Sequence, residues 1–156
     1  MVSRRDAKTQ EREKIKPENE ISAMILDSCI RVRRVLGPGL LESVYEEALS
    51  HELRKRGRII ERQVEIPVIY DSVTMNIGFR ADMIVDKLVI IELKSVDCIQ
   101  PVHKKQLLTY LKLTNIKLGL LVNFNVNLMK DGMTRIVMVY NHKHYLFFAS
   151  LRLCEK

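Results

Sequence analysis

The chain has 156 residues, the size of one domain around one core. Hydrophobic residues make up 47%, and 26 Lys and Arg outnumber 19 Asp and Glu, for a formal net charge of +7. No apolar run reaches the roughly 18 residues of a membrane span, and the first twenty residues lack the apolar centre of a secretory signal. Three widely spaced cysteines, Cys29, Cys98 and Cys154, fit neither a disulfide framework nor a zinc cluster. Reduced thiols in a cytoplasmic protein are therefore expected.

The charge is unevenly spread. Residues 94–156 hold ten basic and three acidic residues, whereas residues 1–20 hold six and five. A basic half suits a polyanion such as nucleic acid, with no membrane involved. By itself the charge favours the plainer reading, a solvated basic surface.

In chain order, residues 1–17 read as a flexible charged lead and residues 18–156 as a single domain. Pro17 can open a helix in which Ile21, Met24, Ile25, Cys29 (or Ser28) and Val32 recur at helical spacing. Gly37, Pro38 and Gly39 break it. A second helix carries a stripe of Leu41, Tyr45, Ala48, Leu49 and Leu53, and Gly57 ends it. The period then changes to two in "RIIERQVEIPVIY", with Ile60, Val64, Ile66 and Val68 on one face and Arg62 interrupting. Two further strands, Gly78–Val85 and Leu88–Lys94, meet at a tight turn near Asp86 and Lys87. Both are apolar on two faces, as in central strands covered by helices. Pro101 opens a third helix to about Thr114. "KLGLLVNFN" is a buried strand, and "TRIVMVY" and "HYLFFASL" close the domain, the last as strand or helix.

The charged residues in the middle of this apolar region carry the chemistry. Glu92 and Lys94 share one face of a strand. Alone they would read as an ion pair at a strand end, which is worth little. Asp82 changes the odds. If paired positions in the hairpin sum to 174, Val85 faces Val89, the loop is Asp86, Lys87 and Leu88, and Asp82 lies across from Glu92. A two-residue loop would put the two carboxylates on opposite faces. Adjacent carboxylates repel unless a cation lies between them. Oxygen ligands of this kind suit Mg²⁺ or Mn²⁺, with the Leu93 carbonyl as a further ligand and Lys94 beside the attacking water. That is a minimal apparatus for phosphodiester hydrolysis.

Asp82 followed by Glu92-Leu93-Lys94 resembles the D…(D/E)xK signature of the PD-(D/E)XK nuclease superfamily, with Ala81 in place of the proline. Gln106 and Tyr110, one helical turn apart, look like the QxxxY motif of RecB-like and lambda-exonuclease-like nucleases, in which they help to set the active site and the DNA backbone. Gly39, Glu42 and Tyr45 spell the motif of the prokaryotic GxxExxY family, assigned to the same superfamily. "RADMIV", "IELK", "PVHKKQLLTYL" and "KLGLLVNFN" are also similar to that family and in the same order, so the resemblance spans roughly residues 20–140.

The resemblance implies a three-layer, restriction-endonuclease-like α/β core, with a central mixed sheet of four to five strands flanked by helices. It implies a metal-dependent deoxyribonuclease with Glu42, Asp82, Glu92, Lys94, Gln106 and Tyr110 in the active site and Glu42 as a further metal ligand. Glu46, one turn on, competes with Glu42 for that role. Arg80 and His103 could line the site. Arg54, Lys55, Arg56 and Arg58 could touch DNA, or simply answer the helix C-terminus. His142 and His144 lack the acidic or cysteine partners a metal site needs. A dimeric, Holliday-junction-resolvase-like endonuclease and a non-catalytic DNA-binding module within a larger nuclease or helicase complex are the alternatives.

Overall fold

The computed structural model describes residues 16–75, 77–141 and 144–149, and the side chains of 17–75 and 77–139. Two helices come first, α1 (Lys16–Leu36) and α2 (Glu42–Lys55). Strands β1 (Ile60–Ile66), β2 (Ile69–Tyr70), β3 (Val73–Thr74), β4 (Phe79–Val85) and β5 (Val89–Lys94) follow. Then come α3 (Pro101–Thr114), β6 (Leu118–Asn123), a 3-10 turn (Met129–Asp131), β7 (Met133–Asn141) and β8 (His144–Ala149).

Six strands form one sheet in the order β1-β4-β5-β6-β7-β8. The β5–β6 pair is parallel, with α3 as its crossover, and the other pairs are antiparallel. The sheet is therefore mixed, as expected. "HYLFFASL", which the pattern leaves between strand and helix, supplies the sixth strand.

Alternation along β5 divides the core. Val89, Ile91 and Leu93 pack under Ile21, Ile25, Cys29 and Val32 of α1 and Tyr45, Leu49 and Leu53 of α2. Ile90, on the other face, packs with Leu107, Tyr110 and Leu111 of α3. These are the three layers: α1 and α2, the sheet, and α3. Gly119 in β6 lets α3 come close, since a Cβ there would lie 2.9 Å from the Leu107 side chain. Leu41 is not part of the α2 stripe; it caps the helix and is 75% exposed.

β1 departs from the simple alternation. Ile60 packs with α1 and α2, whereas Val64 and Ile66, of the same parity, pack with α3. β4 switches in the same way between Ala81 and Met83. The cause is Gln63, whose φ is +50°. The β1–β4 ladder skips the position at which Gln63 would face Asp82. Pro67 follows the end of β1, and Ile69–Tyr70 and Val73–Thr74 form a separate small hairpin rather than prolonging the strand.

Cys29 is a buried free thiol. The expectation of reduced cysteines does not hold for Cys98, which is disulfide-bonded. No helix among the described residues is long and apolar enough to cross a membrane. His142 lies outside the described residues, as does the side chain of His144.

Candidate active site

The β4–β5 register is the one that brings the two carboxylates together. Val85 pairs with Val89, Ile84 with Ile90 and Met83 with Ile91. Asp86 and Lys87 both have positive φ, and the Leu88 N–H donates to the Val85 carbonyl, so the loop has the three residues this register needs. Asp86 also accepts from the Ile59 N–H at 2.8 Å and from Arg58 at 3.1 Å. The turn is thereby tied to the end of α2.

Past Met83 and Ile91 the ladder stops, and β4 and β5 part. Successive strand amides point to alternate sides. The N–H groups of Leu93 and Ser95 therefore point to the edge that β4 has left. Side chains take its place. The Leu93 N–H donates to Asp82 Oδ2 at 2.8 Å, and the Ser95 N–H donates to Glu42 Oε1 at 3.1 Å. Between them Lys94 Nζ donates to Glu92 Oε1 at 2.7 Å. The fork thus gathers Glu42, Asp82, Glu92 and Lys94 around the last residues of β5.

Electrostatics bind these groups into one unit. Burial holds the Asp82 carboxyl above its usual range. The Leu93 N–H and Lys94 oppose that shift, while Glu46 and Glu42 add to it. Burial, reinforced by the Asp82 charge, pushes Glu92 up to about 7, against the pull of Lys94. Lys94 loses solvation by burial, yet Glu92, Glu42 and Asp82 more than offset this and hold its pKa above the usual lysine value. Glu92 is 2% exposed, and its Oε2 is buried without a hydrogen-bond partner. A buried carboxylate oxygen with no donor, among carboxylates that raise one another, fits a site for a cation. Each carboxylate is otherwise turned to a protein donor, and among the described residues no three His, Cys, Asp or Glu side chains converge as a finished ligand set.

The motif residues divide into two roles. Gly39 has φ +82°, which favours glycine, and shapes the loop before α2. Tyr45 is fully buried and stacks on Phe124 with ring centroids 4.2 Å apart. Its hydroxyl donates to the Gly37 carbonyl at 2.6 Å and accepts from the Leu40 N–H at 3.2 Å. Tyr45 therefore fixes the loop that delivers Glu42. Gln106 donates to the Tyr110 hydroxyl at 2.5 Å, which donates to the Arg80 carbonyl at 3.1 Å. This pair holds β4 two residues before Asp82.

Glu46, the competing residue, raises the Asp82 pKa as Glu42 does. It is buried, and it accepts from Arg62 at 2.8 Å and from Gln63 at 2.7 Å. His103 lies near the site: its pKa is lowered by burial and by Lys94, while Glu42 opposes the shift. Its Nδ1 accepts from the Gln100 N–H and so caps α3. The basic end of α2 is engaged locally. Arg54 donates to the Ile60 carbonyl, and Lys55, Arg56 and Arg58 pair with Glu52, Asp27 and Asp86. It lies thirteen residues along α2 from Glu42, about 20 Å away.

Sequence reasoning missed Asn123 and Ser95. Asn123 is buried at the end of β6; its Oδ1 accepts from the N–H groups of Val96 and Asn125, and its Nδ2 donates to the Val96 carbonyl. Ser95 Oγ donates to the Leu40 carbonyl at 2.7 Å. Both fasten the loops around β5. The available signal was an asparagine ending an otherwise apolar run, which is also common at ordinary strand ends.

A three-layer mixed-sheet fold with carboxylates and a lysine at a strand fork is that of the restriction-endonuclease-like nucleases. The family model of the PD-(D/E)XK nuclease superfamily matches residues 19–136, and the chain belongs to that superfamily. Its members are generally nucleases and typically use divalent metal ions. No curated protein and no solved structure matches the chain.

Proposed function

We propose that the protein is a divalent-metal-dependent nuclease that hydrolyses phosphodiester bonds in DNA, of the GxxExxY type. The observation that carries this reading is the unpartnered buried Oε2 of Glu92 beside Asp82, at the fork that also presents Lys94. Glu42, Asp82 and Glu92 would hold Mg²⁺ or Mn²⁺. The Leu93 carbonyl would join them, because a strand residue's C=O points to the same side as its N–H, here toward Asp82. A bound ion would polarise the scissile phosphate and offset the charge that develops on it.

The remaining chemistry falls to the chain. Hydrolysis forms a P–O bond from water and breaks the P–O bond to a sugar oxygen. Lys94 stays cationic, because its carboxylate neighbours raise its pKa. It therefore orients the water and the phosphate as a hydrogen-bond donor rather than removing the proton itself. Gln106 and Tyr110 act through the β4 backbone and Tyr45 through the Glu42 loop, so these three are positioning residues. Calorimetric titration with Mn²⁺ tests the metal half of the proposal. Binding by the native protein that is lost in Asp82→Asn and Glu92→Gln supports it; equal binding by all three proteins refutes it.

A further inference from the structure

An exposed apolar surface adjoins the fork. Between β1 and β4 the chain exposes Ile69 (65%), Tyr70 (72%), Val73 (59%) and Ile77 (83%), with Met75 and Phe79 more than a third exposed. Sheets normally keep such residues inside, and contiguous exposed apolar surface marks an interaction site. Tyr70 and Val73 are cross-strand neighbours on the small hairpin. Its turn, Asp71 and Ser72, has positive φ at both positions, the type I′ geometry that suits a two-residue hairpin. Beneath it, Met75, Pro67, Phe79 and Arg80 line a cleft of about 700 Å³, the size that takes a small ligand.

Three observations indicate what covers this surface. The Phe79 ring lies against Tyr110, centroids 5.7 Å apart, and Tyr110 holds the β4 backbone at Arg80. The surface is thus continuous with the candidate active site. Phe79 and Arg80 share a strand with Asp82, and three strand residues span about 10 Å. A base against Phe79 would therefore lie within a nucleotide or two of the fork. Arg80, also exposed, lines the same cleft with Glu65 as its cross-strand neighbour, and Asp71 lies at the hairpin turn. Exposed aromatic faces this close to a phosphodiester-cleaving site are what unstacked bases bind.

We propose that the surface presented by Tyr70, Val73 and Phe79 is a stacking platform for unpaired nucleotides, which makes single-stranded or frayed nucleic acid the preferred substrate. The inference rests on the nuclease reading and deepens it by naming the form of the substrate. An intact duplex keeps its bases stacked and offers the platform nothing.

The test uses the full chain with a 2-aminopurine oligonucleotide, single-stranded or annealed to its complement, in EDTA, so that binding is read without cleavage. Cleavage of both forms with Mn²⁺ is measured on the same preparations. Tyr70→Ala and Phe79→Ala are each expected to weaken single-strand binding about tenfold and to relieve the fluorescence quenching, with duplex binding unchanged. Tyr70→Phe should behave as native, since the ring is kept. Tyr70 is exposed, so its alanine variant folds even if Phe79→Ala does not. Equal affinity for both forms, or no change in Tyr70→Ala, overturns the platform, and metal-dependent cleavage then still upholds the nuclease. Quenching that responds to Tyr70→Ala without any cleavage upholds the platform and sinks the catalytic reading. A dimer that dissociates in Tyr70→Ala, with nucleic-acid binding intact, assigns the surface to a second copy and overturns the platform.

Discussion

Replacing Glu92 by glutamine should make the metal-free protein less sensitive to alkali. Burial and the neighbouring Asp82 move the Glu92 pKa from 4.5 to about 7. One pKa unit is worth about 1.4 kcal/mol, so the ionised carboxylate costs the fold on the order of 3 kcal/mol at pH 8. The sign follows from where the proton is held. Between pH 4.5 and 7 the folded state keeps a proton on Glu92 that the unfolded chain has released. Stability therefore falls as pH rises through that window, then levels off above about 7. Glu92→Gln removes the titration while keeping the shape. In EDTA, the melting temperature of the variant minus that of the native protein should rise by about 5–10 °C from pH 5 to pH 8, because about 2.5 kcal/mol of the cost falls in that window and a domain of this size shifts about 2–4 °C per kcal/mol. A constant offset from the altered Lys94 contact cancels in that comparison. Thermal unfolding followed by circular dichroism reads the shift. Parallel pH profiles for the two proteins would refute the claim that Glu92 is held in the fold as a destabilised acid. Saturating Mn²⁺ should then close most of that gap at pH 8, stabilising the native protein by about 2.7 kcal/mol at a hundredfold excess over Kd and leaving Glu92→Gln unmoved.

Other substitutions separate chemistry from positioning. Lys94→Ala leaves the Glu92 carboxylate without its donor, so cleavage should fall by about two orders of magnitude or more, and alkaline stability should drop. Tyr45→Phe removes the hydroxyl bonded to Gly37 and Leu40; a loss of about 1–3 kcal/mol in urea denaturation is expected, with weaker Mn²⁺ binding as the Glu42 loop loosens. Tyr110→Phe cuts the links to the Arg80 carbonyl and Gln106 and should lower kcat, with a stability loss of about 1–3 kcal/mol, as seen by paired kinetics and melting.

Much of this architecture was legible because apolar period and charge placement are local. The α1 positions Ile21, Ile25, Cys29 and Val32 are buried as their spacing implies. The hairpin register was legible too, because a three-residue loop or a bulge is needed to bring Asp82 beside Glu92, and the Val85–Val89 pairing is that of the three-residue loop. What stayed hidden depends on backbone geometry that no side chain announces. Gln63 adopts a left-handed conformation although it is not glycine, and that turns Val64 and Ile66 to the opposite layer from Ile60. Leu41 continues an apolar stripe in sequence yet falls at the helix cap, where nothing covers it. In the site, the roles of Tyr45 and Gln106 lie in what they bond rather than in their residue type. Their hydroxyl and amide are spent on protein groups, a distinction that a motif alone does not carry.

The most direct measurement is cleavage of end-labelled single-stranded and duplex DNA by the purified chain in Mg²⁺, Mn²⁺ or EDTA, with Asp82→Asn and Glu92→Gln alongside. The account predicts cleavage that needs the metal and disappears in both variants while their DNA binding persists. Cleavage that survives in EDTA or in both variants, or tight DNA binding with no cleavage under any condition, would contradict it.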